Sequence, residues 1–189
     1  MIDLADASGD ATLSSANDIN DDGQIVGESF STGKAFLLED NVVTDLGALA
    51  NQNPSNASIS AALAINGRGQ IVGYSNSKAF LWKGGRMIDL GGLGGTFFTL
   101  ATSLSKRTIV GSSYIPGNHE QRATRWNHRR IEDLNALIPS DSAVILHQAR
   151  GINRFGQIVA NGDKSGVNGA AFLLTPVCES THARRRCIR

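Results

Sequence analysis

Apolar residues along this chain fall in short runs, and the runs recur in the same order. Ile25-Val26 is followed by Ala35 to Leu38, then by Val43 and Leu46. The same succession returns as Ile71-Val72, Ala79 to Trp82, and Met87 to Leu90. Successive runs stand about 8–12 residues apart with polar, glycine-bearing segments between them, the spacing of antiparallel strands joined by turns. Ala35, Ala79 and Ala123 recur every 44 residues, and each precedes an aspartate by ten: Asp45, Asp89 and Asp133. Constant spacing there predicts a hairpin of fixed length. Variable spacing elsewhere predicts loops.

Written out, the first copy reads Ala16-Asn-Asp-Ile-Asn-Asp-Asp-Gly-Gln-Ile-Val-Gly27, Lys34-Ala-Phe-Leu-Leu38, Val43-Thr-Asp-Leu-Gly47. The second reads Ala62-Leu-Ala-Ile-Asn-Gly-Arg-Gly-Gln-Ile-Val-Gly73, Lys78-Ala-Phe-Leu-Trp82, Met87-Ile-Asp-Leu-Gly91. The third has drifted to Ala101-Thr-Ser-Leu-Ser-Lys-Arg-Thr-Ile-Val-Gly111, Arg122-Ala-Thr-Arg-Trp126 and Ile131-Glu-Asp-Leu134. The fourth keeps Ala149-Arg-Gly-Ile-Asn-Arg-Phe-Gly-Gln-Ile-Val159 and Ala170-Ala-Phe-Leu-Leu174. In Asn20 to Gly23, Asn66 to Gly69 and Asn153 to Gly156, an Asn that bonds the backbone two residues on is followed by a Gly free to take positive φ. The third copy is one residue shorter and lacks both, so its hairpin is expected to be distorted. Gly27, Gly73 and Gly111 are expected at turns or bulges.

Four strands per period of this length match a propeller blade. The chain is therefore expected to be all-β, a small β-propeller of about four four-stranded antiparallel blades. Copies span about residues 16–60, 61–100, 101–148 and 149–176, the last completed by 1–15. Met1-Ile-Asp-Leu4 repeats Met87-Ile-Asp-Leu90 and supplies the strand that the fourth copy lacks. Ring closure by this N-terminal strand is the expectation, with an open β-repeat array as the alternative.

Composition narrows the function classes. The 189 residues suffice for a sizeable core without a metal or disulfide. Net charge is +1 and charged residues are 19%, so no strong field selects nucleic acid. No apolar run approaches a membrane span. The 21 glycines fit frequent turns. Segment 177–189 carries four arginines against Glu179, a charge of +3 that leaves −2 for the rest. It reads as a disordered basic tail. Its cysteines, Cys178 and Cys187, match no zinc spacing, though they could close a small disulfide loop in an oxidising compartment. The N-terminus has no signal-peptide pattern.

The pattern Ala-x-x-Ile-Asn-x-x-Gly-Gln-Ile-Val-Gly, then Ala-Phe-Leu-Trp, then Asp-Leu-Gly-x-Leu-Gly-Gly, seen best from Ala62 to Gly95, resembles the HAF-type repeat of probable extracellular bacterial proteins. The resemblance covers residues 1–176. It implies secretion or cell-surface display and carries no catalytic residue with it.

Two local constellations carry candidate chemistry. Asp18, Asn20 and Asp22 satisfy the opening of a calcium loop, with oxygen ligands at alternate positions before Gly23. Position twelve is Ser29 rather than a bidentate Glu, and the equivalent turns carry Arg68 and Phe155, so a plain acidic turn is the competing reading. Calcium is the only cofactor the sequence offers. Arg122, Arg125 and Arg129 surround Trp126 and form a candidate anion site, against which stands strand alternation, which splits neighbours between faces. Gly91 to Thr96 lacks the Gly-Lys-Ser/Thr ending of a phosphate loop. The recurring Asp3, Asp45, Asp89 and Asp133 suit a structural bond in each copy. The sequence thus reads as a non-enzymatic surface module that binds a glycan or protein. The alternatives are an enzyme with a site built from blade loops and a structural fragment of a larger secreted chain.

Overall fold

The computed structural model describes residues 3–9, 13–50, 57–95, 97–117, 120–127, 130–181 and 184–187. The fold is all-β. Strands β1 (Ser15–Ile19), β2 (Ile25–Ser29), β3 (Lys34–Glu39) and β4 (Val42–Asp45) form a first antiparallel sheet in sequence order. A second follows from β5 (Ser60–Ile65), β6 (Ile71–Ser75), β7 (Lys78–Lys83) and β8 (Arg86–Asp89). The third comprises β9 (Thr99–Leu104), β10 (Thr108–Tyr114), β11 (Gln121–Asn127) and β12 (Arg130–Asp133). In the fourth, β13 (Val144–Ile152), β14 (Ile158–Lys164) and β15 (Val167–Leu174) make three strands.

The sheets stack in chain order. Each offers one face to the first strand of the next: β2 and β3 lie on β5, β6 and β7 on β9, β10 and β11 on β13. Three apolar layers result. Val26, Ala35, Leu37 and Leu46 meet Ala62, Ile65, Ile71 and Phe80. Val72 and Ala79, with Leu81 and Leu90, meet Ala101 and Trp126, with Leu104 and Ile109. Val110, Ala123 and Leu134 meet Leu146, Ala149, Ile158 and Ala160. A lone four-stranded sheet cannot bury both faces, so burial between copies supplies most of the stability.

The Asn-x-x-Gly turns form as their sequence dictates. Gly23, Gly69 and Gly156 take φ of 77°, 65° and 80°, and each donates its N–H to the carbonyl of the Asn three residues back. The Asn side-chain oxygen accepts two further N–H groups, as from Asp22 at 3.1 Å and Gln24 at 3.0 Å in the first copy. In the third copy the shorter segment makes a tighter hairpin. Ser105 N–H donates to the Thr108 carbonyl at 2.8 Å, and Ser105 Oγ accepts from Thr108 N–H at 3.2 Å. The strands still pair from Leu104–Ile109 onward, so the expected distortion is confined to the turn.

Gly27, Gly73 and Gly111 end no strand. They sit within β2, β6 and β10, next to a β-bulge in the first strand of each sheet. A Cβ at these positions would lie 1.8 Å from the Ser15 carbonyl oxygen, 1.9 Å from that of Ala61 and 2.0 Å from that of Leu100. The bulge brings the neighbouring backbone so close that only Gly fits. In the fourth copy Ala160 holds the corresponding place, and Gly162 takes the close approach, 2.1 Å from the Ile145 oxygen.

Two expectations concern the ends of the chain, and the strand expected to close the ring falls mostly on Met1 and Ile2. The described N-terminal residues add no strand to the fourth sheet. Asp3 is extended at φ −79°, ψ 122°, and helix α1 (Leu4–Ser8) begins directly after it, capped by the Asp3 carboxylate. The same step occurs at Asp133, extended at φ −73°, ψ 122°, before a 3-10 helix over Leu134–Leu137. Leu4 thus belongs to a helical turn because its aspartate caps the next backbone N–H groups. Met1 and Ile2 lie outside the described residues. In the tail, β16 (Cys178–Thr181) and β17 (Arg184–Cys187) pair as a two-stranded antiparallel hairpin. Among the described residues no helix is long and apolar enough to cross a membrane.

Candidate functional site: a basic groove at the turn end of the sheets

The first hairpin turn of every sheet lies at one end of the stack, and side-chain amides tie neighbouring turns together. Asn20 Nδ2 donates to the Asn66 carbonyl at 3.1 Å, and Asn66 Nδ2 donates to the Ser105 carbonyl at 3.4 Å. The exposed tips change in charge along this row. The first turn carries Asp21 and Asp22, the second Arg68, the third Lys106 and Arg107, and the fourth Arg154 and Phe155. Between the second, third and fourth turns runs a groove of about 520 Å³. Its walls include Asn66, Lys106, Arg107, Asn153, Arg154 and Phe155, and among the described residues no carboxylate lines it.

Arg154 and Phe155 occupy the two central positions of the fourth turn. The guanidinium carbon of Arg154 sits 4.8 Å from the Phe155 ring centroid, an attraction that holds the long side chain in one place. Phe155 is 69% exposed, an unusual position for a large ring that no layer of the core uses. A second hollow of about 470 Å³ lies on the far side of this turn, where Arg154 and Phe155 are joined by Arg125, Gln157 and Thr175. None of Lys106, Arg107 and Arg154 makes an ion pair with a described residue.

The candidate ligands of the first turn are placed otherwise. Asp18 Oδ2 accepts the Ile65 N–H of the next sheet at 2.8 Å, and Oδ1 accepts the Ile19 N–H at 2.9 Å. Asn20 spends its oxygen on the turn and its amide on Asn66. Asp22 is exposed at the tip. Among the described residues no group of three or more His, Cys, Asp or Glu side chains could hold a metal ion. The equivalent of Asp18 in the third copy is Ser103, whose Oγ accepts the Ile152 N–H at 3.3 Å. A serine in the same role argues that Asp18 serves the stack.

Arg122 and Arg125 are not brought together. Arg122 pairs with Glu120 and Arg125 with Glu132. Strand alternation sets Arg122 on the face of Trp126 and Arg125 on the other. Arg129 lies outside the described residues. Trp126 is buried and donates its Nε1–H to the Gly91 carbonyl at 3.2 Å. The recurring aspartates each accept the N–H two residues on: Asp3 from Ala5, Asp45 from Gly47, Asp89 from Gly91 and Asp133 from Asn135.

A hollow of about 550 Å³ beside the Gly91–Gly95 loop contains Lys78 and Asp89, paired at 3.0 Å, so its charges cancel locally. The loop leads into β9 rather than a helix and carries none of the anion geometry of a helix N-terminus. On the fourth sheet His147 Nε2 lies 2.7 Å from Asp163 Oδ2, and Asp163 Oδ1 accepts the Gly169 N–H at 3.1 Å. Those two hydrogen bonds, the His147 one foremost, hold the Asp163 carboxyl below its ordinary pKa.

Sequence reading did not single out Lys106, Arg107 and Arg154. The available signal was their position: the variable tip of an otherwise repeated turn. No protein-family model matches the chain, and a search of curated proteins finds no match.

Proposed function

We propose that the chain is a non-catalytic interaction module that holds a polyanionic glycan, sulfated or uronic, in the basic groove at the turn end of a propeller-like stack. The observation that carries this reading is a groove walled by Lys106, Arg107 and Arg154 with no carboxylate among its described lining residues. Guanidinium groups suit planar sulfate and carboxylate anions. The exposed Phe155 ring offers the apolar surface that a sugar face stacks on. Cations and amides offer hydrogen-bond donors and positive charge to an anion, which supports a binding role. The HAF-type resemblance, with its implication of surface display, favours a glycan as the anion.

Heparin serves as the probe. The full chain should bind immobilised heparin in a salt-dependent manner. Lys106→Glu, Arg107→Glu and Arg154→Glu together should abolish retention, while Arg122→Glu should leave it nearly unchanged. Equal loss on both substitutions, or equal competition by uncharged dextran, would overturn the site. Equal competition by a single-stranded oligonucleotide would show charge attraction without a glycan preference and would overturn the ligand class.

A further inference from the structure

The two ends of the stack expose the two halves of the interface that the interior uses throughout. On the giving face of sheets one to three, Val26, Val72 and Val110 are each 0% exposed. Their counterpart on the fourth sheet, Val159, is 49% exposed, and Leu173, paired with it across β14 and β15, is 63% exposed. Leu37, which corresponds to Leu173, is 6% exposed. On the receiving side, the first strand contributes Ala62 and Ile65 in the second sheet, Ala101 and Leu104 in the third, and Ala149 and Ile152 in the fourth. Their counterparts on β1 are Ala16 and Ile19. Both are exposed, Ile19 at 60% against 7% for Ile65.

The correspondence follows from register. Ile19 stands opposite Ile25 as Ile65 stands opposite Ile71, and Ala16 opposite Gly27 as Ala62 opposite Gly73. Phe36 and Leu38, further along the same face of the first sheet, are buried. The bare part is therefore β1 itself, the strand on which every interior interface is centred.

We propose that the fourth sheet of one copy of this chain receives β1 of a second copy. The contact repeats the internal stacking: Val159 and Leu173 of one copy cover Ala16 and Ile19 of the next. Such a contact joins unlike surfaces, so it continues head to tail until it closes into a ring or extends as a filament. It removes exposed apolar side chains from water at both ends of the stack. The turn-end groove is not part of this surface, so the proposal stands or falls independently of the glycan reading.

The test uses two variants of the full chain with substitutions at exposed positions. One carries Val159→Glu and Leu173→Glu; the other carries Ile19→Glu. Circular dichroism and urea melts establish that both fold as the wild type does. In sedimentation velocity, the wild type should gain mass with concentration, and each variant alone should stay at the monomer mass. An equimolar mixture should double the mass, because each variant retains the half that the other has lost. A wild type that stays monomeric overturns the proposal. So does a mixture that stays monomeric. A monomeric wild type whose urea midpoint falls on either substitution would show the two ends meeting within one chain, and would overturn it as well.

Discussion

The carboxylate of Asp18 belongs to one sheet and does its work for another: its Oδ2 accepts the backbone N–H of Ile65, 47 residues away, at 2.8 Å. Asn17 Nδ2 beside it donates to the Ala62 carbonyl at 2.8 Å, and Thr102 Oγ1 makes the same bond to the Ala149 carbonyl at 2.7 Å in the third copy. At the bulged strands β5 and β13, side chains of the preceding sheet thus take up backbone groups that the bulge leaves unpaired.

Asp18→Ala removes the acceptor and leaves the Ile65 N–H without one. A cost of about 1–2 kcal/mol is expected for a half-buried charged acceptor. Asp18→Asn retains an oxygen and should cost less. Urea denaturation checks the order of the two. Equal stability of wild type and Asp18→Ala would show that the bond carries no weight.

Gly73→Ala forces a Cβ to within 1.9 Å of the Ala61 carbonyl oxygen. Backbone must move, and a loss of about 3 kcal/mol or more is expected. Gly67, in the turn of the same copy, has nothing within 4 Å of its virtual Cβ. Gly67→Ala should stay within about 0.5 kcal/mol of wild type. A melt in which the two variants coincide would contradict the close approach.

Thr124 occupies the place that Phe36 and Phe80 hold in the first two copies. It is 0% exposed, and its hydroxyl has no hydrogen-bond partner among the described residues. Thr124→Val keeps the shape and removes the orphaned group. Stabilisation of about 1 kcal/mol is expected, read as a higher urea midpoint at unchanged slope. A lower midpoint would mean that the hydroxyl is satisfied.

Asp163 titrates below its ordinary value because His147 and the Gly169 N–H hydrogen-bond to its charged form. The native state therefore takes up this proton at lower pH than the unfolded chain does. The contribution to stability is complete above the unfolded carboxylate value of about 3.9 and disappears as pH falls through the lower native value. Carboxyl NMR should place the Asp163 midpoint below that of free aspartate, and His147→Ala should move it upward. A midpoint unaffected by His147→Ala would contradict the pairing.

Local chemistry was legible in the sequence wherever a bond spans only a few residues. The Asn20, Asn66 and Asn153 turns follow from Asn and Gly at fixed offsets, because the side chain bonds its own backbone within four residues. The four-fold strand pattern follows for the same reason, and so does the structural part played by the recurring aspartates. Tertiary structure decided what depends on separations near the repeat length. Asp18 looks like a calcium ligand within its own turn and is a tie between sheets only once Ile65 is beside it. Gly73 reads as a turn or bulge glycine, and only the bulged β5 backbone beside it shows the close approach it makes room for. Arg122 and Arg125 look like one patch until the pleat sends them to opposite faces, while Lys106, Arg107 and Arg154, 48 residues apart at the extremes, converge because stacking aligns equivalent turns. The repeat itself could not say whether its two ends meet: every copy carries the same complementary faces, and only stacking shows which faces remain without a partner.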